Sequence, residues 1–346
     1  MTVRYLSPTS LLILQACPLR LYFREASGSA PEGLAPAAFI GILIHRVLDR
    51  LVQQVLIAGG NASAELSRVW DEEVAYLSAE QGLTPRTVLE FPAYQVKRAR
   101  VRHLVQRLEL IWAGRDTSVD PRTEVDVASR DGLLVGRIDL VLPTEAGIVL
   151  IDYKSGTVWD AELGGMIASY RQQLELYVYL FTEQEGQWPV RAGLLPLVGD
   201  PVEISVDPAV SSKLADLARG LLLAYNQMAK PPVGTPSPGT CAMCTYAARC
   251  ATFWDNCGPS WSPNIVAAQG TVTRKFGAGS AVVSIDLVVE KGTVTPGETV
   301  MIRAISVQQH PEVEHVEVGR RVGLVGLVFE DDRNTYLLRW SGRVGI

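Results

Sequence analysis

The spacing of apolar and polar residues changes several times along the chain, and each spacing predicts a different kind of element. Positions with a helical period come first, and they predict helices at 9–24, 37–57, 62–79 and 91–112. A two-residue period rich in Val, Ile and Leu then predicts strands at 123–127, 133–142 and 147–153. The pattern further on predicts helices at 166–182 and 208–229, with strands at 191–197 and 202–206 between them.

Residues that start or stop a helix mark the ends of the first two helices. Ser7 or Thr9 is expected to cap the first helix, and Pro18 is expected to end or kink it. The Gly-Gly pair at 59–60 is expected to end the second helix. Between the two helices, the segment 28–36 is rich in Gly, Pro and Ala, which predicts a loop.

The C-terminal part of the chain has a different character. A Pro/Gly-rich connector at 230–240 follows the last predicted helix. From about Pro263 onward, short β-rich runs alternate with turns, which predicts a small all-β barrel. We therefore expect a mixed α/β core, in which helices flank a sheet, followed by this barrel. The expected boundaries are 1–257 for the core with its cysteines, 258–264 for a linker and 265–346 for the barrel.

Composition limits the class of protein without choosing its activity. The 346 residues are 47% hydrophobic and 20% charged, as in ordinary globular proteins. No apolar run reaches the roughly 18 residues needed to cross a bilayer, and the N-terminus lacks the features of a signal peptide. Five cysteines, an odd number, fit a reducing compartment, so a cytoplasmic location away from membranes is expected. The sequence contains no Walker motif, which argues against an NTPase.

Three charged residues on two neighbouring predicted strands carry the candidate chemistry. Asp139 lies within LLVGRIDLVL, and Asp152 and Lys154 lie within GIVLIDYKSG. Residues two apart in a strand point to the same face, and a turn at PTEAG brings the two strands together. Two carboxylates can hold a divalent cation, and a lysine can support an attacking water, as phosphodiester hydrolysis requires. A surface ion pair is the alternative, but a carboxylate in such apolar strands is costly unless it is paired or bound to a metal.

These segments resemble the core of the PD-(D/E)xK nucleases, and most closely the RecB-like branch that includes AddB and CRISPR-adaptation exonucleases. The upstream G-x-x-x-H of that branch corresponds to GILIH, which ends at His45, and its downstream Q-x-x-x-Y corresponds to QLELY, from Gln173 to Tyr177. Alone, a histidine on an apolar helix is more often a core residue, and a Gln/Tyr pair four residues apart can simply pack on a sheet. The ordered set of motifs carries the resemblance.

The resemblance implies a role for each matching residue. His45, Asp139, Asp152 and the main-chain carbonyl of Tyr153 are expected to bind Mg²⁺ or Mn²⁺. Lys154 is expected to support the attacking water. Gln173 and Tyr177 are expected to complete the outer part of the site. Glu124 occupies a strand position where the family often has an acidic residue.

The resemblance also implies a function. We expect a metal-dependent DNA nuclease, acting as an exonuclease on single-stranded ends, in DNA repair, recombination or CRISPR-type defence. Its expected partners are DNA and a helicase or other repair or defence protein. The net charge of −5 argues only weakly against nucleic acid, because clustered carboxylates lower it without removing a local basic groove. The alternative is a catalytically silent module that binds nucleic acid or protein on a nuclease fold.

Four cysteines are spaced as metal ligands. Cys241, Cys244 and Cys250 follow the Pro/Gly-rich connector, and Cys17 lies far upstream. The spacing suits zinc or an iron–sulfur cluster equally, and buried free cysteines are a further alternative. The AddB-like and CRISPR-adaptation nucleases bind a [4Fe-4S] cluster through one cysteine before the core and three after it, so the resemblance favours that cluster over Zn²⁺. Cys257 is left over.

Two further regions bear on substrates and partners. The predicted helix at 91–112 contains KRARVRHLVQR, which is either a solvated face or a track for a phosphate backbone. Its candidate contact residues are Lys97, Arg98, Arg100, Arg102 and Arg107. The barrel sequence resembles the second domain of elongation factor Tu in its T-x-x-P-G-E-T-V-M-I and V-G-R-R-V-G-L segments. The chain lacks a GTPase domain, so the barrel is expected to be an adaptor or a packing domain.

Overall fold

A computed structural model describes residues 2–26, 35–162, 164–277, 279–331 and 334–346. The chain forms two compact units. The first unit comprises Met1–Ile13 and Glu32–Lys230, and the second comprises Leu14–Pro31 and Pro231–Ile346. Most of the loop predicted at 28–36 lies outside the described residues.

The helices and strands follow the predicted order along the chain. The helices that the described residues form are α1 (Pro8–Ala16), α2 (Pro18–Ala26), α3 (Pro36–Leu51), α4 (Ala62–Glu80), α5 (Pro85–Leu89), α6 (Tyr94–Ala113), α7 (Ala168–Glu185), α8 (Pro208–Gln227), α9 (Pro238–Ala242) and α10 (Ala251–Asn256). The strands are β1 (Arg122–Ala128), β2 (Val135–Thr144), β3 (Gly147–Lys154), β4 (Trp159–Asp160), β5 (Gly165–Met166), β6 (Arg191–Pro196), β7 (Val202–Ser205), β8 (Ala267–Phe276), β9 (Val282–Gly292), β10 (Thr299–Ser306), β11 (Arg321–Asp331) and β12 (Thr335–Gly345).

The sheet of the first unit has the strand order β1-β2-β3-β6-β7. Strands β3 and β6 run parallel, and every other neighbouring pair in this sheet is antiparallel. A tight turn after Thr144 joins β2 to β3, as the PTEAG segment predicts. The long helices α3, α4, α6, α7 and α8 each bury an apolar face, so the predicted α/β core is confirmed.

The helix boundaries agree with the stop and start residues of the sequence. Ser7 caps α1 by accepting the Ser10 backbone N–H at 3.1 Å, and α1 ends at Ala16, just before Pro18 begins α2. After Leu51 the third helix continues as a π-helical turn at Val52–Leu56 and then ends at the Gly-Gly pair. The short helix α5 and the β4–β5 hairpin are not predicted from the sequence, and Met166, predicted to be helical, lies in β5.

The second unit contains the predicted barrel. Its five strands close in the order β10-β12-β11-β8-β9 around an apolar core. The cysteine-bearing segment packs on the barrel through Trp254, whose indole N–H donates to the Ala248 carbonyl at 2.9 Å. A Cβ added at Gly323 would meet the Trp254 ring at 2.7 Å, so only glycine allows β11 to approach this closely.

Among the described residues, none of the helices combines the length and the apolar character that a membrane span requires.

Candidate active site

The centre of the site is the point where the β2–β3 hairpin opens. The main-chain pairing of β2 with β3 ends at Leu140 and Ile151. Beyond this pair, the Asp139 side chain accepts a backbone N–H of β3. The Tyr153 N–H donates to Asp139 Oδ2 at 2.6 Å. Asp139 is 7% exposed and Tyr153 is fully buried. The bond therefore fixes the Asp139 carboxylate and gives the buried Tyr153 N–H its acceptor. The second oxygen, Oδ1, remains directed towards α3.

His45 reaches Asp139 from α3. Its Nδ1 lies 3.2 Å from Asp139 Oδ1, and its ring packs edge-on against Tyr153 with centroids 5.9 Å apart. Burial lowers the pKa of His45, but the hydrogen bond and charge of Asp139, together with the charge of Asp152, outweigh it, so that the pKa is raised. His45 is therefore held by acidic neighbours rather than enclosed as an apolar core residue.

Glu124 brings a second carboxylate to Asp139 from β1. The pairing of Thr123 with Leu140 and of Val125 with Ile138 places Glu124 directly opposite Asp139. Its φ of 48° lies in the left-handed region, which a residue without special support rarely adopts. Desolvation raises the pKa of Glu124, and the charges of Asp139 and Asp49 raise it further. Like charges opposite each other on a sheet are destabilising, so this pair calls for a compensating cation.

A divalent cation fits the donor set at this point. Ligand atoms of His45, Glu124 and Asp139 all lie within 4.8 Å of one another. One imidazole nitrogen and two carboxylates form a mixed set that suits a first-row ion such as Mn²⁺ and still accepts Mg²⁺. The guanidinium of Arg137 lies 3.7 Å from the Glu124 carboxylate and neutralises the pair only in part.

Asp152 and Lys154 form a second group beside the first. Lys154 Nζ lies 2.6 Å from Asp152 Oδ2, close enough for an ion pair although the angles are not those of a hydrogen bond. Burial raises the pKa of Asp152 to about 6, and Asp139 adds to this, while Lys154 opposes it. The lysine also lies over the Tyr170 ring, 4.9 Å from its centroid.

Gln173 connects this pair to α7. Its amide oxygen accepts from Lys154 Nζ at 2.9 Å, and its amide nitrogen donates to Asp152 Oδ1 at 3.0 Å. The same nitrogen donates to the Tyr177 hydroxyl oxygen at 2.9 Å. Burial raises the pKa of Tyr177, so the phenol stays neutral. Gln173 and Tyr177 lie one helical turn apart on α7, so their side chains share one face of the helix.

Tyr177 can approach because β2 has a glycine at the facing position. A Cβ added at Gly136 would lie 2.9 Å from the Tyr177 ring, closer than real contacts allow. The glycine of the GRIDLVL segment therefore gives space to the Q-x-x-x-Y pair. Gly41 of GILIH similarly faces the loop after Lys154, where an added Cβ would lie 3.4 Å from Ser155 Oγ, an ordinary contact distance.

The residues singled out in the sequence largely come together in this one place. Hydrogen bonds and close ionic contacts link neighbouring members of one group, which comprises His45, Asp139, Asp152, Tyr153, Lys154, Gln173 and Tyr177. Asp49 and Tyr170 also face it and were missed, although Asp49 lies one helical turn after His45, a spacing that signals a shared face.

Four of the five cysteines, all in the second unit, line one pocket. Cys17, Cys241, Cys244 and Cys250 all contribute to its wall, whereas Cys257 does not. Cys250 precedes α10, and its Sγ accepts the Phe253 N–H at 3.4 Å. Burial raises the pKa of the Cys241 thiol to about 11.

The surroundings of this pocket include two arginines. The Arg20 guanidinium donates to the Met243 carbonyl at 3.0 Å, and that of Arg343 donates to the Ala242 carbonyl at 3.1 Å. Both positive charges lower the pKa of the Cys244 thiol, although burial raises it more. Thiolates at this pocket would therefore have cationic neighbours.

Some of the basic side chains of α6 have partners in the fold, and others have no ion pair among the described residues. Arg98 pairs with Asp71 at 2.7 Å, and Arg107 donates to the carbonyls of Pro196 and Gly199. Within the described ranges, Lys97, Arg100 and Arg102 have no ion pair. Burial and the charge of Arg100 lower the pKa of Lys97, as crowded cations require.

A comparison with protein-family profiles agrees with this geometry. A sequence profile described as the PD-(D/E)XK nuclease superfamily matches residues 5–251. No curated protein matches the chain.

Similar solved structures include a protein named SSO0001, at 15% identity and a TM-score of 0.26, covering 70% of this chain and 95% of that one. They also include an exonuclease candidate from Eubacterium rectale, at 12% identity and a TM-score of 0.38, covering 64% of this chain and 81% of that one. The profile covers most of the chain and both groups of the site. The chain therefore belongs to the PD-(D/E)XK nuclease superfamily.

Proposed function

We propose that this nuclease is a metal-dependent deoxyribonuclease that acts as an exonuclease on single-stranded DNA. The observation that carries the metal dependence is the meeting of His45, Glu124 and Asp139 within 4.8 Å, beside the ion pair of Lys154 and Asp152. The preference for single-stranded ends rests on the resemblance of GRIDLVL and GIVLIDYKSG to the RecB-like branch.

His45, Glu124, Asp139 and Asp152 are the side chains proposed to hold Mg²⁺ or Mn²⁺, with the Tyr153 carbonyl as a further ligand. When bound there, a divalent cation would supply a water of lowered pKa and would neutralise charge on the scissile phosphate. Tyr153 contributes its N–H as well, since that group already fixes Asp139. Glu124 is added to the expected set because the two facing carboxylates are costly without a cation.

Lys154 is proposed to orient the attacking water and to stabilise negative charge on the phosphate. Gln173 accepts one of its N–H groups and so limits the directions in which the ammonium can point. Asp152 neutralises the lysine when substrate is absent. Tyr177 restrains Gln173 in turn, so α7 positions the lysine without touching the reacting atoms.

A [4Fe-4S] cluster is proposed at the cysteine pocket, held by Cys17, Cys241, Cys244 and Cys250. The donor set fits, because four thiols line one pocket and have Arg20 and Arg343 nearby to offset negative charge. Zn²⁺ is the alternative occupant. A cluster of this kind needs thiols to stay reduced, which favours the cytoplasm.

Lys97, Arg100 and Arg102 are proposed as phosphate contacts on α6. Each is without an ion pair in the part of the chain that the structure describes, so a phosphate oxygen meets no competing acid there. Arg98 and Arg107 were expected to share this role, but both already have protein partners. The barrel at 265–346, by its resemblance to elongation factor Tu domain 2, is proposed as an adaptor for a helicase or another repair or defence protein.

The test is digestion of end-labelled single-stranded and duplex DNA, and of RNA, by anaerobically purified protein with Mg²⁺, Mn²⁺ or EDTA. Lys154→Ala is run in parallel, and Glu203→Gln, which changes an exposed carboxylate away from the site, is the control. We expect metal-dependent release of nucleotides from single-stranded ends, lost in Lys154→Ala and kept in Glu203→Gln. DNA that is bound but left intact by every protein would favour a catalytically silent binding module.

A further inference from the structure

The β4–β5 hairpin presents an exposed tryptophan close to the active site. Trp159 pairs with Met166 across this hairpin and keeps 50% of its surface exposed. Its neighbour Val158 is 3% exposed and anchors the base of the hairpin. Val158 comes directly before β4 and is buried, whereas Trp159, the first residue of β4, is exposed. The exposed ring therefore lies at a backbone position held by the pairing with Met166 and by the buried Val158 beside it.

A short chain of contacts ties this hairpin to the proposed water-orienting lysine. The Val158 carbonyl accepts the Ile167 N–H at 3.0 Å, and the Ile167 carbonyl accepts the Tyr170 N–H at 2.9 Å. The Tyr170 ring in turn lies under the Lys154 ammonium. Trp159 follows Lys154 by five positions along the backbone, a span of at most about 18 Å. The hairpin is therefore part of the rim of the site, bounded by β3 on one side and α7 on the other.

The charges of the hairpin exclude one kind of contact and favour another. From Ser155 to Ile167 the sequence contains Asp160 and Glu162 but neither lysine nor arginine. Acidic side chains repel phosphates, so this hairpin is unsuited to follow a nucleic-acid backbone. What it offers to a nucleic acid is the face of an aromatic ring, on which any unpaired base can stack.

We propose that Trp159 stacks on a base of the substrate strand next to the scissile phosphate, and thereby selects single-stranded over duplex DNA. Stacking of this kind requires a base whose face is free, which a paired base inside a duplex lacks. The cations of α6 and the metal site would bind phosphates, while Trp159 contacts only a base. The proposal rests on the proposed nuclease activity and deepens it by naming the element that recognises the substrate.

The chain offers a matched control. Trp188 lies in the same unit, beyond the far end of α7, and is 38% exposed. Glu185, the last residue of α7, follows Tyr170 by fifteen positions, about 22 Å at 1.5 Å per residue. A general effect of losing an exposed tryptophan should appear with Trp188→Ala as well, whereas an effect on the substrate should not.

The experiment measures KM and kcat for single-stranded DNA with wild type, Trp159→Ala, Trp159→Phe, Trp188→Ala and Lys154→Ala. We expect Trp159→Ala to raise KM about 5- to 100-fold with little change in kcat, as loss of one stacked base predicts, and Trp159→Phe to restore most of it. A second set of substrates carries one abasic position near the cleaved bond. At a single such position the KM of wild type should rise, whereas the KM of Trp159→Ala should not change.

The outcomes separate the two proposals. If Lys154→Ala is inactive but Trp159→Ala matches wild type on every substrate, the stacking role is overturned and the nuclease activity stands. Abasic positions that weaken both proteins equally would overturn the stacking role in the same way. If Lys154→Ala cleaves like wild type, the assignment of cleavage to this site fails, and tryptophan fluorescence still decides the contact: single-stranded DNA should quench the emission of Trp188→Phe more than that of Trp159→Phe.

Discussion

Lys154 Nζ lies 2.6 Å from Asp152 Oδ2 on β3, and Gln173 of α7 contacts both members of this ion pair. A lysine in a partly buried site would otherwise sample several rotamers, each with a different direction for its N–H groups. The glutamine removes part of that freedom before substrate arrives. The catalytic contribution of α7 is thus expected to be indirect.

Gln173→Leu should lower kcat about 10- to 100-fold with little change in KM, because outer-shell partners of a metal site typically contribute that much. Tyr177→Phe removes only the bond to Gln173, so its loss should be smaller. The measurement is steady-state cleavage of labelled single-stranded DNA. Gln184→Leu, on the same helix but exposed and only weakly bonded, is the control. A larger loss for Tyr177→Phe than for Gln173→Leu would contradict this order of contacts.

Glu124→Gln should weaken metal binding and stabilise the metal-free protein. The substitution removes one of two carboxylates that face each other across β1 and β2, so the metal-free protein should gain about 0.5–1 kcal/mol. Half-saturation by Mn²⁺ should move to a concentration at least about tenfold higher. Thermal unfolding with and without metal measures both effects, and Glu203→Gln, which alters only a surface ion pair, is the control. Unchanged metal affinity would remove Glu124 from the ligand set.

The stabilisation that a divalent cation gives should depend on pH. Because burial raises the pKa of Asp152 to about 6, the contribution of that carboxyl to stability is present below its unfolded pKa of about 3.9 and is lost as the pH rises through about 6. A bound cation offsets that loss. Below about pH 6, each proton that must be displaced weakens metal binding about tenfold per pH unit, near 1.4 kcal/mol.

The gain in thermal midpoint on adding Mn²⁺ should therefore be larger at about pH 8 than at about pH 5. His45 acts in the same direction, since its pKa is also raised and a protonated imidazole does not bind metal. Asp152→Asn should reduce the gain at the higher pH and flatten the dependence. An equal gain at both pH values would show that neither group titrates on metal binding.

The strands and the long helices could be predicted because their signal is local. The alternation around Asp152 and the four-residue spacing of Gln173 and Tyr177 determine which side chains share a face, whatever lies nearby. The pairing of Glu124 with Asp139 is different, because the register of β1 on β2 and a positive φ arise only after the sheet forms. The two-residue strands that present Trp159 are too short to show any period.

The same distinction applies to the basic helix. Its charge is plain in the sequence, but the partners of Arg98 and Arg107 lie 27 and about 90 residues away along the chain. No periodicity within the helix reveals them. The sequence therefore shows where the cations lie along the helix, but it could not separate Arg98 and Arg107, which have partners in the fold, from the cations without an ion pair among the described residues.

The proposed cluster makes a prediction about which cysteine can be lost. Anaerobically purified protein should contain about four iron atoms per chain. Cys250→Ser should lose most of that iron, because Cys250 lines the pocket, and its thermal midpoint should fall by several degrees as a constraint on the second unit is removed. Cys257→Ser is the control: this thiol is buried but lies off the pocket wall, and the variant should keep its iron.

Metal analysis of the three proteins distinguishes the alternatives. One zinc per chain, lost in Cys250→Ser, would replace the cluster by a tetrahedral zinc site with the same ligands. Loss of iron in Cys257→Ser would instead change the ligand set. Arg343→Met adds a finer test, since it removes a cation beside Cys244 while leaving every thiol in place. If the Arg343 charge offsets the negative charge of the cluster, the variant should release iron to a chelator faster than wild type. Its release rate should also rise less steeply with salt, because one electrostatic contact that salt would screen is already gone.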